Sequence, residues 1–346
     1  MKLFEPGASI HTFEMNCHLH EDEVDKLMRR AKREDTGDAI WERHGVRLKV
    51  DRNTGWAYVK VNPLKLIEPN CSAAAIIPPD KSAIKDSIKA LEGVFKEIGL
   101  PNKVSDYEVT RVDLCVNMWA KKNSEAREYL RLQKKRKLIG GMVERPFYDD
   151  RVSWAENLIC GHDYYRAGSE INDRGEEIVF YDKKRQAKRF DLCGADELPA
   201  GLLRIERQLD RSALRNIQKR EKLSNEKLLC WVAGHSGELI LERLQYCYDA
   251  GKFWKADEIF KTIENTTWNP ETKELARKYV RWSKEKGEEK AAEKVIKKND
   301  WTQAEYRRFR QRFVKLGIQP VPLRKNFKRK TLKSPEELLA DLLAKN

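Results

Sequence analysis

Two strand-like segments of the chain each carry an arginine and a carboxylate two residues apart. Arg111 and Asp113 form the first pair, and Arg204 and Glu206 form the second. Because side chains alternate across a strand, each pair would lie on one face while valine, leucine or isoleucine fills the other. Mg²⁺ is commonly held by one or two carboxylates, several waters and a substrate phosphate. Two carboxylates on neighbouring strands would supply half of such a site, in which Mn²⁺ could replace Mg²⁺, and the metal would polarise a scissile phosphate.

A third segment holds a tyrosine at the end of an apolar run. Residues 178–180 predict a buried strand, and Tyr181 follows them ahead of one acid and three cations that begin at Lys183. The phenol could attack phosphorus, and a lysine could lower its pKa from about 10 or stabilise charge on the phosphate. A covalent phosphotyrosine keeps the bond energy of the ester for rejoining, so no ATP is needed. In agreement, the sequence contains no G-x-x-x-x-G-K-[ST] phosphate loop.

Two histidines form a weaker metal-binding candidate. His18 and His20 flank one leucine, an arrangement that serves as the metal-ligand motif of many nucleases that nick DNA through a tyrosine. They directly precede the acidic start of a predicted helix, however, where histidines commonly lie in solvent. Each of the motifs, taken alone, is also more often structural than catalytic. It is the order and shared format of the three strand motifs that favour a site.

The charge of the chain points to a polyanionic partner. The net charge is +14, and residues 271–346 contribute +11 of it, with 22 Lys and Arg against 11 Asp and Glu. Residues 307–333 contain eleven cations and no acid, which is unusual for an ordinary solvated face. Cations in this region would neutralise DNA phosphates and release counterions. The candidate DNA-binding residues are Arg307, Arg308, Arg310, Arg312, Lys315, Lys325, Lys328, Arg329 and Lys330.

Aromatic residues are interleaved with these cations. Tyr306, Phe309 and Phe313 are spaced three and four residues apart, so they could stack on exposed bases or form the core stripe of a helix. The core stripe is the favoured interpretation, since the cations suffice for phosphate binding.

Cysteine usage and hydropathy predict a cytoplasmic protein without a membrane partner. Seven cysteines are scattered without a C-x-x-C pair, which is typical of reduced thiols. The N-terminus lacks a cationic segment followed by an apolar run, and nowhere are 18 apolar residues consecutive.

The pattern of the first two thirds predicts an α+β fold, with helices crossing an antiparallel sheet. Residues 46–50 and 56–61 alternate strictly around a turn and predict a β-hairpin. A helix is expected after a cap at Asp80 or Ser82. A strand is expected near residues 151–154, followed by a polar loop over 161–175.

Beyond residue 224 the pattern is helical almost throughout. We therefore predict a catalytic α+β domain over residues 1–220 and a mostly helical, basic DNA-binding domain over 221–319. A basic linker and a short helix capped at Ser334 would complete the chain over residues 320–346.

With these residues laid out, the chain resembles the phage/plasmid replication II/X family, to which the gene II replication proteins of filamentous phages belong. The family's Arg-hydrophobic-Asp strand matches residues 111–113, its hydrophobic-Tyr-x-Lys segment matches 180–183, and its Gly-Leu-hydrophobic-Arg-hydrophobic-Glu strand matches 201–206. Similarity continues weakly on both sides and covers most of the chain. It is specific only in the three strand motifs.

The resemblance implies a rolling-circle replication initiator that depends on Mg²⁺. Such proteins nick one strand of a double-stranded replicative form at its origin, become linked to the 5′ phosphate through a tyrosine, and later rejoin the displaced strand. A host helicase opens the duplex, and the resemblance does not determine whether the protein forms an oligomer on the origin. Carried over, Tyr181 becomes the nucleophile, Asp113 and Glu206 become metal ligands, and Lys183 becomes a phosphate or leaving-group partner. The arginines at 111 and 204 complete the catalytic set.

Two departures from the family pattern, and two other functions, leave alternatives open. Tyr164 and Tyr165 precede a Gly-Ser pair, as in related plasmid initiators, and either one is an alternative nucleophile. The pair His18 and His20 has no counterpart in the gene II proteins, which argues against it as a ligand set. The chain could also be a non-catalytic DNA-binding protein, or a metal-dependent nuclease that uses water.

Overall fold

The computed structural model describes most of the chain in two compact units. The first unit comprises residues 1–119, 166–179 and 183–240, and the second comprises 120–165, 180–182 and 241–346. The predicted strand near residues 151–154 lies outside the described residues. Those that the structure describes are 7–30, 32–33, 39–120, 122–137, 143–146, 161–166, 175–249 and 251–344.

The strands and helices are numbered in chain order. The strands are β1 (Gly7–His18), β2 (Lys32–Arg33), β3 (Ala39–Arg43), β4 (Val46–Val50), β5 (Trp56–Val61), β6 (Glu108–Trp119), β7 (Val143–Pro146), β8 (Gly161–Arg166), β9 (Gly175–Asp182), β10 (Leu202–Asp210), β11 (Lys252–Lys255), β12 (Ile318–Leu323) and β13 (Thr331–Leu332). The α-helices are α1 (Glu21–Arg30), α2 (Pro63–Ile67), α3 (Lys81–Ile98), α4 (Asn123–Lys135), α5 (Lys183–Arg189), α6 (Arg211–Glu221), α7 (Asn225–Gly234), α8 (Ser236–Cys247), α9 (Ala256–Glu264), α10 (Pro270–Lys286), α11 (Glu288–Asn299), α12 (Gln303–Lys315) and α13 (Pro335–Leu343).

The first unit is built on an antiparallel sheet with the strand order β2-β3-β4-β5-β1-β6-β10 and with β9 next to β10. The chain is therefore α+β, as the sequence predicts. The β4–β5 hairpin is confirmed, and its turn is closed by Asp51, whose Oδ1 accepts hydrogen bonds from the backbone N–H groups of Asn53 and Thr54. Gly55 completes the turn at φ 70°, a conformation that favours glycine.

One face of this sheet is apolar and the other is polar. On the apolar face, Met15 of β1 lies opposite both Val59 of β5 and Val109 of β6, and all three are buried. Each such side chain contributes about 1.5–3 kcal/mol when fully buried. Helix α7 packs against β1, β6 and α3, and α3 begins at the predicted cap, Asp80. The polar face of the same strands carries the candidate site.

The second unit contains helices and a small sheet. In that sheet β11 pairs in parallel with β12 and antiparallel with β13. The prediction of an almost entirely helical region with a linker from residue 320 is wrong at these strands. Pro320 and Pro322 lie within β12. Because proline is depleted in strands, the sequence pattern does not predict β12. The predicted cap of the last helix, Ser334, is confirmed as part of a capping box with Glu337.

The predicted polar loop at residues 161–175 is corrected at residues 161–166, and its residues 167–174 lie outside the described part of the chain. Gly161–Arg166 forms β8, which pairs antiparallel with β7, with Tyr164 opposite Val143. Tyrosine favours strands when a partner strand is present, and that partner was not evident from the sequence.

The compact units do not share the boundaries of the predicted domains, and the division at residues 220 and 319 stays a prediction. Within the described part of the chain, no helix is both long and apolar enough to cross a membrane.

Candidate functional site

The register of β6 and β10 places the two arginine–carboxylate pairs on the same face of the sheet. Asp113 lies opposite Gln208, and two residues further along β6 Cys115 lies opposite Glu206. Since alternate residues of a strand share a face, Arg111 and Arg204 lie on this face as well. The alternation argued from the sequence thus agrees with the strand pairing. We call His11, Asp113, Lys183, Arg204 and Glu206 the charged cluster.

Asp113 is held by hydrogen bonds from two neighbours. Arg111 donates from Nε to Oδ1 at 2.6 Å and from Nη2 to Oδ2 at 3.1 Å, and the hydroxyl of Thr12 donates to Oδ2 at 2.6 Å. Burial raises the pKa of the Asp113 carboxyl, while the hydrogen bonds from Arg111 and Thr12 oppose that rise. A paired, oriented carboxylate of this kind can serve as a metal ligand or as a structural anchor.

Glu206 contacts a histidine that the sequence analysis missed. His11 Nδ1 lies 3.4 Å from Glu206 Oε1, and Arg204 Nη1 lies 3.9 Å from the same oxygen. Although 26% of the His11 side chain is exposed, desolvation lowers its pKa to about 4 against the opposing charge of Glu206. The imidazole is therefore neutral at pH 7, as a metal ligand or proton acceptor must be.

A β-bulge explains why His11 and Thr12 both reach this cluster. The pairing of β1 with β6 shifts between Ile10 and Thr12, which leaves His11 as the extra residue. Simple alternation places Thr12 on the apolar face with Ile10, whereas the bulge places it opposite Asp113. The sequence carries no local signal for this shift.

Arg204 is fully buried and is held in place by hydrogen bonds to two neighbours. Its Nε donates to Asn117 Oδ1 at 2.8 Å, and its Nη2 donates to the carbonyl of Ala74 at 2.7 Å. Asn117 Nδ2 donates to that same carbonyl at 2.7 Å. Because a guanidinium stays protonated throughout the physiological pH range, Arg204 places a permanent positive charge beside Glu206.

Lys183 begins α5 with its side chain 2% exposed and donates to Gln186 Oε1 at 2.8 Å. Burial, reinforced by the charge of Arg204 and opposed by Glu206, lowers the pKa of the Lys183 ammonium to about 7. A lysine with this pKa can both accept and donate a proton near neutral pH, which suits general acid–base catalysis.

Replacing Lys183 with Met is expected to stabilise the protein at pH 7 by about 2 kcal/mol in EDTA, because a buried cation is replaced by an apolar chain. The unfolded lysine keeps its ordinary pKa near 10.4, so the unfolded state binds more protons between pH 7 and pH 10. The wild type must therefore gain stability over this interval, relative to Lys183→Met. Urea denaturation at several pH values measures both effects.

Lys188→Met is the matched control, since Lys188 lies on the same helix, is exposed, and pairs with Asp196 at 2.7 Å. This variant should follow the wild-type pH profile. A Lys183→Met profile parallel to that of the wild type would show that the Lys183 pKa is not lowered.

The other predicted site residues lie in different places. Tyr181 is the penultimate residue of β9 and is 6% exposed. Tyr164 and Tyr165 lie in β8. His18 is exposed at the end of β1 with its ring edge-on to Trp56, and the backbone N–H of His20 donates to Glu23.

The two histidines are not part of the charged cluster. His18 is seven residues from His11 along β1, a separation of roughly 23 Å at the rise of a strand. Their interpretation as metal ligands at this site is therefore not favoured.

The carboxylates fit a metal only in part. Among the residues that the structure describes, no group of three or more His, Cys, Asp or Glu side chains could hold a metal ion. Asp113 and Glu206, with His11 beside the latter, fit a Mg²⁺ ion completed by water and a substrate phosphate, which needs only one or two carboxylates. They do not fit a metal site made by protein ligands alone.

The predicted DNA-binding cations of α12 fall into two groups. Arg307, Arg308, Arg312 and Lys315 are exposed. Arg310 is 6% exposed, and its Nε lies 2.5 Å from Glu288 Oε1. Arg310 therefore stabilises the interior of the second unit and does not face solvent.

The cations after β12 are exposed: Lys325, Lys328, Arg329 and Lys330. Two of them pair with acids, since Arg329 Nη1 lies 2.9 Å from Glu125 Oε1 and Lys330 Nζ lies 3.6 Å from Glu258 Oε1. The Glu125 carboxylate is buried, whereas the Lys330 side chain is 77% exposed in a pair longer than a hydrogen bond. An exposed pair of the second kind is weak, so a phosphate can compete for Lys330.

The aromatic residues of α12 form a core stripe, as favoured from their spacing. Tyr306, Phe309 and Phe313 are all buried in the hydrophobic core of the second unit. Their rings pack around Tyr279, whose hydroxyl lies 2.8 Å from that of Tyr306. They are therefore not base-stacking residues in this conformation.

No protein-family model matches the chain, and no curated protein is significantly similar to it.

Proposed function

We propose that the chain is a rolling-circle replication initiator, which nicks one strand of a double-stranded replicative form at its origin and later rejoins the displaced strand. The observation that carries this proposal is the charged cluster. Two carboxylates and a permanent guanidinium share one face of the sheet, a neutral imidazole lies beside Glu206, and the charges of Arg204 and Glu206 act on a lysine of near-neutral pKa. These are the groups that phosphoryl transfer uses to neutralise charge and to move a proton.

In the proposed reaction, the phenolic oxygen of Tyr181 attacks the scissile phosphorus. The new bond joins phosphorus to this oxygen, and the bond from phosphorus to the 3′ oxygen breaks. Neutral Lys183, two residues further along the chain, accepts the phenolic proton, and the departing 3′ oxygen takes a proton from water to become a hydroxyl. Rejoining reverses these transfers with the 3′ hydroxyl of the displaced strand as the nucleophile.

The charged cluster would also hold the cofactor. Asp113 and Glu206 would bind Mg²⁺, or Mn²⁺ in its place, with His11 available beside Glu206. When bound, the ion neutralises charge on the scissile phosphate. Arg204 places a positive charge 3.9 Å from Glu206, and Arg111 orients Asp113 through two hydrogen bonds. Exposed cations of the second unit would bind duplex DNA through its phosphates, and a cytoplasmic helicase of the host would supply strand opening.

One observation favours a second candidate. Tyr181 is buried, whereas the side chains of Glu206 and His11 are each more than a fifth exposed. Water therefore reaches the charged cluster more readily than the phenol of Tyr181 reaches a substrate phosphate. A metal-dependent nuclease with water as nucleophile would have the same cluster. In a DNA-binding protein without catalytic activity, the charged cluster would only stabilise the fold.

A nicking assay distinguishes these functions. Supercoiled plasmid that carries the origin region of the protein's own replicon is incubated with the full chain and Mg²⁺. The proposal predicts open circles whose 5′ ends are blocked by protein until protease digestion. Free 5′ phosphates would show a water-dependent nuclease. Tight binding without any nick, in Mg²⁺ or Mn²⁺, would leave a non-catalytic DNA-binding protein.

A further inference from the structure

The open face of the sheet carries a basic and aromatic strip beside the charged cluster. In β4 the residues alternate between buried valine or leucine and the exposed cations Arg47 and Lys49. In β5 the exposed positions are Tyr58 and Lys60, with Tyr58 46% exposed and the Lys60 side chain 48% exposed. The register places Arg47 opposite Lys60 and Lys49 opposite Tyr58. We call these four residues the sheet strip.

The sheet strip is continuous with the charged cluster. Lys60 lies opposite Glu14 of β1, which in turn lies opposite Arg111 of β6, and Arg111 binds Asp113. Both Lys60 and Arg111 lie within 4 Å of Glu14 Oε1, at 3.2 and 3.8 Å. From β4 to β6 there are three strand spacings, or about 14 Å. A chain of a few nucleotides would span this distance.

A shallow recess of about 200 Å³ lies between the side chains of the strip. Its lining includes Arg47, Lys49, Tyr58, Lys60 and Thr110. Tyr58 thus presents an aromatic ring at the wall of a recess that is surrounded by cations. Among the described residues that line this recess, Glu14 is the only acid, and it is already paired with Lys60 and Arg111.

This combination fits a single strand better than a duplex. Cations along a groove follow a phosphate backbone, and an exposed ring stacks on an unpaired base whatever its sequence. Reading a duplex needs a helix or ribbon that enters a groove, and the strip is the broad side of a sheet. A protein partner would be expected to cover apolar area, whereas the exposed side chains of the strip are three cations and one phenol.

We propose that Arg47, Lys49, Tyr58 and Lys60 bind single-stranded DNA, with one base stacked on Tyr58, and lead the strand towards the charged cluster. Binding by the strip stands independently, while delivery to the cluster rests on the proposed nicking function. This assigns single-strand binding to the first unit, in addition to the duplex binding proposed for the exposed cations of the second unit.

Binding is measured by fluorescence anisotropy of a labelled mixed-sequence 20-nucleotide DNA with the full chain in EDTA, which prevents metal-dependent cleavage. Tyr58→Ala should weaken binding about 10-fold, and Tyr58→Phe should retain it, because stacking needs the ring and not the hydroxyl. Tyr246→Ala is the matched control, since Tyr246 is 48% exposed and lies on α8. Its binding should equal that of the wild type.

A triple change of Arg47, Lys49 and Lys60 to Gln tests the cations. Each lost phosphate contact lowers the slope of log K against log salt by about 0.7, so the slope should fall by about 2. The control removes the same charge from three exposed lysines of α3, by changing Lys81, Lys85 and Lys89 to Gln. This control should leave the slope unchanged.

The proposal is overturned if Tyr58→Ala binds like the wild type, if both triple variants lose equal affinity, or if the same-sequence RNA or duplex binds more tightly than the single strand. The binding assay is separate from the nicking assay. If the wild-type protein never nicks DNA but Tyr58→Ala weakens its binding to single-stranded DNA, the proposed role of the sheet strip stands and the proposed initiator function is rejected. If the wild-type protein nicks DNA and the variants of the sheet strip bind and nick normally, only the proposed role of the sheet strip is rejected.

Discussion

Tyr181→Phe is expected to lower nicking of the origin by at least about 10³-fold, because the variant loses the oxygen that forms the bond to phosphorus. The substitution removes one atom from a side chain that is 6% exposed, so the fold should persist. Circular dichroism and binding of the origin duplex should match the wild type. The measurement is the rate of open-circle formation from supercoiled origin plasmid in Mg²⁺.

Three tyrosine variants serve as controls for this result. Tyr164→Phe and Tyr165→Phe test the alternative nucleophiles in β8. Tyr107→Phe tests a buried phenol elsewhere, since Tyr107 is 3% exposed and its hydroxyl donates to the carbonyl of Pro101 at 2.9 Å. All three should nick at wild-type rates. Full nicking by Tyr181→Phe would remove this residue from the mechanism, and loss of nicking in a β8 variant would move the nucleophile there.

Arg204→Ala should cost about 3–5 kcal/mol of unfolding free energy, because it removes a large, fully buried side chain and the hydrogen bonds that it donates. The Arg204 guanidinium is fully buried and holds Asn117, the carbonyl of Ala74 and Glu206 in place. Without it, the partly buried Glu206 carboxylate loses a compensating charge, and two polar groups each lose a hydrogen-bond donor. Urea denaturation followed by circular dichroism measures the loss.

Arg43→Ala supplies the comparison for an arginine in an exposed pair. Arg43 Nη1 lies 2.8 Å from Glu97 Oε1, and both side chains are more than half exposed. Its removal should cost less than about 1 kcal/mol. An Arg204→Ala loss no larger than that of Arg43→Ala would show that Arg204 does not anchor the cluster.

Much of the local structure could be predicted because its causes lie within a few residues. The β4–β5 hairpin follows from strict alternation on both sides of an Asp-to-Gly turn, and Asp80 and Ser334 cap their helices through their own side chains. The shared face of Asp113 and Glu206 follows from the two-residue period of a strand. It required only that β6 and β10 pair in this register.

The remaining features depend on contacts distant in sequence. His11 reaches Glu206 because β1 has a bulge where it pairs with a strand about a hundred residues later. Arg310 resembles its exposed neighbours in the sequence, but it is buried because Glu288 and Gln319 are placed beside it by other elements. The strand β12 has two prolines, and only its pairing with β11 identifies it. No periodicity within these segments could indicate such partners.

The sheet strip shows how a candidate binding surface can be missed when net charge alone is considered. The C-terminal excess of cations directs attention to the second unit, whereas Arg47, Lys49 and Lys60 are few and lie far from that excess in the sequence. Their shared exposed face becomes evident from the strand registers. A surface built from two strands is therefore better judged by pairing than by composition.

The most direct test of the proposed function is to identify the residue that becomes joined to DNA. Wild-type protein is allowed to cleave origin DNA in Mg²⁺, the complex is digested with nuclease and trypsin, and the nucleotide-bearing peptide is sequenced by mass spectrometry. The expected result is a 5′-phosphate linked to the phenolic oxygen of Tyr181. A nucleotide on Tyr164 or Tyr165, or cleaved DNA with free 5′ phosphates and no modified peptide, would contradict it.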